Sequence, residues 1–575
     1  MTRQLITSAL PYINGIKHLG NMVGSMLPAD VFARYLRQRG HDVLYICATD
    51  EHGTPAELAA KEAGMPVDEF CAQQHDVQKA IYQGFELTFD YFGRSSSPQN
   101  VDITQTVARE LNANGFIEER EIRQVFSLDD DRFLPDRYII GTCPHCGYDK
   151  ARGDQCENCT RVLDPTDLIE ARSIISGSTR LEIRETQHLF LLQSKLAPEV
   201  DAWLQKHSKD WPTLASSIAR KWLNEGLQDR AITRDLNWGV PLPADTWPDL
   251  AAQGKVFYVW FDAPLEYIGA TREWADAATD GEQRDWRSWW YDVDDTVTYT
   301  QFMAKDNVPF HTVMFPATLL GTRDKWKKVD YVKAFNWLNY YGGKFSTSQR
   351  RGIFTDAALE LLPADYWRYF LMANAPESDD ASFTWELFAS LINKDLADTL
   401  GNFVNRVLTF SQKRFGEQIP IGGQIGSAEI QLGEDISELL TDYDRHLQAL
   451  QFRKAVASLR AIWSAGNSYL ETKAPWLEIK TDSAAAALSL RTAMNLIYLC
   501  ALISEPFIPQ SSKAMRSAFD MTNDTRSWVT PDEARSLAFL PSGAAFTVPP
   551  VLFTKITDED LESYRTRFGG DFEAM

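Results

Sequence analysis

Lys344 stands in GGKFSTSQRRGIF, residues 342–354, among glycines and hydroxyl residues, with Arg350 and Arg351 just beyond it. Such a loop offers an ammonium group and the hydroxyls of Ser346, Thr347 and Ser348 to phosphate oxygens, but it lacks the G-x-x-x-x-G-K-[ST] spacing of a P-loop. A second group lies in ALPYINGIKHLGN, residues 9–21. There His18 and Asn21 are placed to donate hydrogen bonds to phosphate, and Gly20 permits close approach to the backbone. A third is CPHCGYDKARGDQCENC, whose Cys143, Cys146, Cys156 and Cys159 form two C-x-x-C knuckles. Four thiolates at this spacing suit tetrahedral Zn²⁺, and a closed four-sulfur shell leaves no position for substrate, so one structural zinc per chain is expected. His145, inside the first knuckle, is a ligand the set does not need.

These groups need elements to aim them. QLITSAL, residues 4–10, reads as a strand, followed by a loop with Pro11, Asn14 and Gly15. Met22, Met26, Ala29, Ala33 and Leu36 then recur at helical spacing. Gly40 marks the stop of that helix, and Pro28 inside it predicts a kink. DVLYICATD, residues 42–50, is an apolar run ending in carboxylates, as a buried parallel strand reads. In a doubly wound sheet, ligands bind at the carboxyl ends of strands, where His18 and Asp50 both fall. The helix N-terminus there favours a phosphate. Further helices are expected over 69–88 and 103–115. VFYVWFDAP, residues 256–264, reads as another buried strand, with Val256 and Val259 in the core, and α/β character continues to about 330. From 391 onward the pattern is that of an antiparallel helix bundle. The expected fold is α/β: a Rossmann-type parallel sheet split by a zinc-bearing insertion, followed by a C-terminal α-helical bundle.

A chain of 575 residues with 44% hydrophobic and 24% charged residues is a multi-domain globular protein. Its formal net charge of −21 argues against indiscriminate nucleic-acid binding. Residues 391–480, with ten Lys/Arg against eleven Asp/Glu, are near neutral and leave room for a basic face. The N-terminal apolar run is too short for a signal h-region, and LIYLCALI, residues 496–503, is too short to span a bilayer. A cytoplasmic protein with no membrane partner is expected, and Cys47, Cys71 and Cys500 read as buried thiols rather than disulfides.

HLGN resembles the HIGH signature of class I aminoacyl-tRNA synthetases, with Leu19 for Ile and Asn21 for the second His. KFSTS, residues 344–348, resembles their KMSKS loop, with Phe345 for Met and Thr347 for the second Lys. ALPYINGIKHLGN, CATDEHGTP, FLPDRYIIGTCPHC, FYVWFDAP and KAPW are similar to the methionyl-tRNA synthetase family in particular, and the resemblance covers almost the whole chain. It implies activation of methionine by ATP to methionyl-adenylate and transfer to the 3′ end of tRNA(Met), for translation initiation and elongation. Mg²⁺ is expected with ATP, although no dedicated Mg²⁺ cage is visible.

Carried onto this chain, the resemblance makes His18, Gly20, Asn21 and Lys344 catalytic. Tyr12, His18, Asn21, Lys344, Ser346, Thr347 and Ser348 would bind ATP. Leu10, Tyr12, Asp50, Trp260, Ala263, Pro264, Tyr267 and His311 would form the methionine pocket, with Asp50 meeting the α-amino group. Glu51 and His52 are expected to act behind that pocket. Asn405 and Trp476 would contact the anticodon, with Thr409 where the family often has an arginine. Without a second lysine at Thr347, Arg350 or Arg351 is the candidate replacement cation. The implied organisation is a first catalytic half over 1–115, the insertion over 116–238, a second half over 239–335, the loop and stem-contact region over 336–390, and the anticodon-binding domain with its tail over 391–575. A monomer is expected, because no dimer-forming extension follows PPVLFTKI. Two alternatives remain at this point: a class I enzyme for another apolar amino acid, and a paralogue that binds tRNA or nucleotide without charging it.

Overall fold

The computed structural model describes all residues except 1–2, 136–137, 154–155, 157, 160, 162, 164, 346–350, 520–525 and 569–575. Five strands form the central sheet: β1 (Arg3–Ser8), β2 (Asp42–Thr49), β3 (Tyr91–Arg94), β4 (Val297–Ala304) and β5 (Tyr331–Phe335). Their order is β5-β4-β1-β2-β3 and every pairing is parallel. Parallel strands need both faces covered, which explains their unbroken apolar runs. Leu5 and Ile6 point to opposite faces and enter two different cores. The strand order reverses between β1 and β4, so the crevice at their carboxyl ends is where a ligand is expected.

The helix after β1 is continuous but not uniform. A helical turn at Leu19–Asn21 passes through a π-helical segment, Met22–Met26, into an α-helix, Leu27–Gln38. Pro28, expected to kink the helix, stands in the first turn of its α-helical part, directly after the π-helical segment, where its missing N–H is best tolerated. Gly40, at φ +77°, ends the helix as expected. The expected helices over 69–88 and 103–115 are present as Val67–Gly84 and Pro98–Ala113.

VFYVWFDAP departs from its reading as a long strand. Only Val256–Phe257 is extended, paired antiparallel with Thr233–Arg234 outside the central sheet. Val259–Asp262 is a helical turn, and Glu266–Asp276 is a helix. A short apolar run reads alike for a buried strand and a buried helix, and here the buried helix applies from Val259 onward.

The insertion carries a long antiparallel ribbon, Ile117–Ser127 with Leu181–Leu191, and a small three-stranded sheet bearing the cysteines. The C-terminal region is helical: Asn402–Phe415, Ser427–Gln448, Phe452–Lys473 and Ser483–Ile503 are its long members. The last is long and apolar enough to cross a membrane, contrary to what its apolar stretch alone suggested, but 94% of its apolar window is buried inside the bundle. It is the core helix of the domain.

One face of the sheet shares a single hydrophobic core with this bundle, from Ile6 and Tyr45 to Trp463 and Leu499. At the seam sits Arg368, fully buried. Its guanidinium donates to Asp30 Oδ2 at 2.7 Å, to the carbonyl of Phe85 at 3.0 Å, and to the carbonyls of Pro506 at 2.7 Å and Phe507 at 3.2 Å. One side chain thus ties the helix after β1, the β2–β3 connection and the C-terminal helices.

Candidate functional site

The ends of β1, β2 and β4 and the helical segments from Val259 to Asp276 supply the site. Beyond β1 and β2 the chains stay paired: Asp50 N–H donates to the Pro11 carbonyl and Ile13 N–H to the Asp50 carbonyl, both at 2.9 Å. This holds Tyr12 beside Asp50. Asp50 is buried, and its Oδ1 has no hydrogen-bond partner. Burial, with Asp262 and Glu51 nearby, pushes its carboxyl well above the usual carboxylate range. An unpartnered carboxylate at a strand end is a receptor for a cation.

The walls around Asp50 are aromatic. Trp260 meets Tyr12 edge-on at 6.4 Å and stacks on Phe310 at 3.6 Å. Ala263 and Pro264 follow Trp260 and are buried. Tyr267 donates its hydroxyl to His311 Nε2 at 2.8 Å, because His311 Nδ1 donates to the Asn307 carbonyl at 2.9 Å. Desolvation lowers His311 to about 4, so it is neutral at physiological pH. His311 lies on a second π-helical segment, Phe310–Met314, after β4. Leu10, half-buried, follows β1. All eight residues expected to bind methionine therefore belong to this one region. Phe310 was not singled out from the sequence, and its place one residue before His311 was the available signal.

Behind this pocket the acids are braced. Arg94 grips Glu51 with two hydrogen bonds, at 2.9 and 3.0 Å. His52 is hydrogen-bonded to buried Asp262 at 2.6 Å, and Trp238 Nε1 donates to the Glu51 carbonyl at 2.6 Å. Glu51 and His52 thus follow Asp50 in a hydrogen-bonded set that includes Arg94, Asp262 and Trp238.

The two signature segments pair with each other. Leu19 N–H donates to the Ile353 carbonyl at 3.1 Å, and Thr355 N–H to the Lys17 carbonyl at 2.9 Å. Between these bonds His18 lies opposite Phe354. The Asn21 side-chain carbonyl accepts from His18 N–H at 3.2 Å, leaving the amide NH₂ of this exposed residue for a ligand. His18 Nδ1 is buried without a partner, and a Cβ on Gly20 would stand 3.0 Å from it. Desolvation, then Lys17, lowers His18 to about 4. Lys344 rests its ammonium 4.7 Å above the Trp337 ring, which Lys305 also approaches at 4.2 Å. Ser346, Thr347, Ser348 and Arg350 lie outside the described residues. Arg351 donates to the Tyr340 carbonyl at 3.0 Å, tucked against Gly343.

A second concave site lies in the helical domain, a cavity of about 290 Å³ lined by Asn405, Arg406, Thr409, Phe410, Lys413 and Trp476 among others. Trp476 is presented by a turn in which Ala474 ends the preceding helix at φ +43°. Thr409 donates to Asn405 Oδ1 at 3.2 Å, and the Arg406 guanidinium lies over the Trp476 ring at 4.9 Å. Arg406 and Lys413 place two cations in the wall of this cavity. Asn405, Thr409 and Lys413 follow at i, i+4 and i+8, a spacing that marks one helix face.

The four cysteines of the insertion come together with their sulfurs within 4.8 Å of one another and form a group able to hold a metal ion. Cys143 and Cys159 sulfurs are 3.8 Å apart, and those of Cys146 and Cys156 3.6 Å. Tetrahedral sulfurs at the ~2.3 Å Zn–S distance would stand about 3.8 Å apart. The N–H groups of His145 and Cys159 point at Cys143 and Cys156 sulfurs at 3.4 and 3.5 Å, as suits thiolates. His145 is exposed and outside the set.

Comparison with known proteins gives a consistent result. A family model described as tRNA synthetases class I (M) matches residues 4–408, and one described as the anticodon binding domain of methionyl tRNA ligase matches residues 419–573. The chain is 77% identical over 573 residues to a methionine–tRNA ligase of Streptomyces avermitilis, covering 99% of this chain and 100% of that one. It is 58% identical over 574 residues to a Cereibacter sphaeroides methionine–tRNA ligase, with the same coverage. Among solved structures, Mycobacterium tuberculosis methionyl-tRNA synthetase in complex with methionyl-adenylate shares the fold, with TM-score 0.76 and 23% identity over 96% of this chain and 100% of that one.

Proposed function

We infer from its membership of the class I tRNA synthetases of the methionine type, to which this chain belongs, that it joins methionine to tRNA in two steps. The observation that carries this reading is the buried Asp50 carboxylate with its unpartnered Oδ1, walled by Tyr12, Trp260 and Tyr267. Asp50 receives the α-ammonium group, and the aromatic rings receive the thioether, each contact contributing about 0.3–1.5 kcal/mol. The methionine carboxylate then attacks the α-phosphorus of ATP in line, forming the acyl-phosphate bond as the bond to pyrophosphate breaks. No side-chain nucleophile is needed, so the protein's task is to orient both reactants and meet phosphate charge. His18, Asn21 and Lys344 do this, with Ser346, Thr347 and Ser348 next along the loop. Mg²⁺ accompanying ATP would neutralise further phosphate charge. In the second step the terminal ribose hydroxyl of tRNA(Met) attacks the adenylate carbonyl and AMP leaves.

The experiment that tests this is amino-acid-dependent ATP–pyrophosphate exchange followed by charging of tRNA(Met). Exchange driven by another apolar amino acid in place of methionine, or tRNA binding with no exchange, would overturn the reading. We take the enzyme to be a cytoplasmic monomer, in keeping with its free, buried Cys47, Cys71 and Cys500 thiols.

Cys143, Cys146, Cys156 and Cys159 would hold one Zn²⁺, which fastens the small sheet of the insertion and takes no part in the chemistry. Cys156→Ser is expected to abolish that zinc and loosen the insertion. Elemental analysis finding no zinc in wild-type protein prepared without chelator would refute the assignment.

The 290 Å³ cavity at Asn405 and Trp476 is our candidate for an unpaired anticodon base. Stacking is worth about 1–3 kcal/mol per base, so Trp476→Ala should lower tRNA charging roughly 5- to 150-fold while leaving pyrophosphate exchange intact. Equal losses in both assays would show that Trp476 acts on the fold instead.

A further inference from the structure

We propose that Phe345 is a positioning residue for His18: its ring, stacked on the imidazole, fixes the plane in which His18 meets the phosphates of ATP. The proposal rests on the reading that His18 meets ATP. The two rings lie 4.7 Å apart at 17°, and Phe354 closes the edge of the imidazole at 6.5 Å. Phe345 is itself seated, against Tyr340 at 5.8 Å and over Gly352. Gly352 has φ +104°, and a Cβ there would stand 2.1 Å from the Phe345 ring. The bare backbone of Gly352 is therefore the floor on which Phe345 lies, and Phe345 is the surface on which His18 lies. His18 Nδ1 is buried with no hydrogen-bond partner among the described residues, so no bond at that nitrogen fixes the ring against rotation about its side-chain torsions. Orientation by a face contact holds the ring without using its single N–H, which a hydrogen bond donated to the protein would consume.

The charged groups around His18 agree with this role. Lys17 on its own loop is the cation that faces it. From the elements packed against it, Lys344 is turned to Trp337 and Arg351 to the Tyr340 carbonyl. The covering ring thus keeps His18 shielded from water beside Lys17, and the imidazole stays neutral.

The test combines His18 titration by NMR in the free enzyme, assigned by difference with His18→Ala, with ATP–pyrophosphate exchange. Phe345→Leu is expected to move the His18 midpoint up from about 4 toward its ordinary 6.5. It should also lower exchange kcat roughly tenfold to a hundredfold, with methionine KM unchanged. Phe345→Tyr, which keeps the stacking face, should restore both, and Gly352→Ala should reproduce the Phe345→Leu defect by displacing the ring. If His18→Ala abolishes exchange but Phe345→Leu leaves both the titration and kcat at wild-type values, the positioning role is wrong and the ATP reading stands. If His18→Ala exchanges normally, the ATP reading fails, and the proposal with it.

Discussion

Asp50→Asn is expected to raise the methionine KM on the order of thirtyfold to a few thousandfold and, at the same time, to stabilise the protein against heat at pH 7. The first effect follows from removing one partner of a desolvated charge pair, which costs about 2–5 kcal/mol. The second follows from linkage. Asp50 has its carboxyl raised far above the usual range by burial and by Asp262 and Glu51. Above the pKa of the unfolded chain, about 3.9, the folded protein therefore holds this proton more tightly than the unfolded one. Stability is lost as pH rises from there through the folded value, and an uncharged isostere removes that loss. The substrate's ammonium group supplies what the free protein lacks, so wild-type methionine KM should fall as pH rises through the Asp50 titration, and that limb should vanish in the variant. Paired exchange kinetics and thermal melts decide the matter: an unchanged KM would remove Asp50 from the ammonium site, and a lowered melting temperature would mean its charge is compensated in the free protein.

Lys344→Ala is expected to lower exchange kcat about 10²- to 10³-fold, the range typical of losing one preorganised group that meets transition-state charge. The loop has Thr347 where a second lysine is common in the family it resembles; of the two candidate replacements, Arg351 donates to the Tyr340 carbonyl and Arg350 lies outside the described residues. Lys344 is then the loop's main described cation. Its ammonium lies over Trp337 with Lys305 nearby, and Lys305 is held by Asp380 at 2.7 Å. The contact with phosphate is made chiefly as charge develops, so kcat should fall more than ATP binding. A variant whose defect disappears at saturating ATP would show that Lys344 only binds the ground state.

The parts of the site legible in the sequence were those set by local spacing. Two C-x-x-C knuckles bring four sulfurs together because each knuckle is a single turn. Asp50 could be placed because an apolar strand ending in a carboxylate delivers it to the ligand end of a parallel sheet. What could not be read was the choice between strand and helix for VWFDAP, since burial erases periodicity. The π-helical segments were equally hidden. They leave no compositional mark, yet they turn Met22–Met26 and Phe310–Met314 and thereby aim the signature loop and His311. Phe310, Phe345 and Arg406 act through ring faces contributed by distant segments, and one sequence without the fold does not reveal which faces meet.

Arg368 has a mechanical consequence. Its guanidinium joins Asp30 to the carbonyls of Phe85, Pro506 and Phe507 inside a core common to sheet and bundle, so any movement of the bundle against the sheet must break a buried, charge-assisted set of hydrogen bonds. The distance between the cavity at Trp476 and the crevice at His18 is thereby braced by the same buried seam that stabilises the fold, so Arg368→Met is a change that loosens both at once.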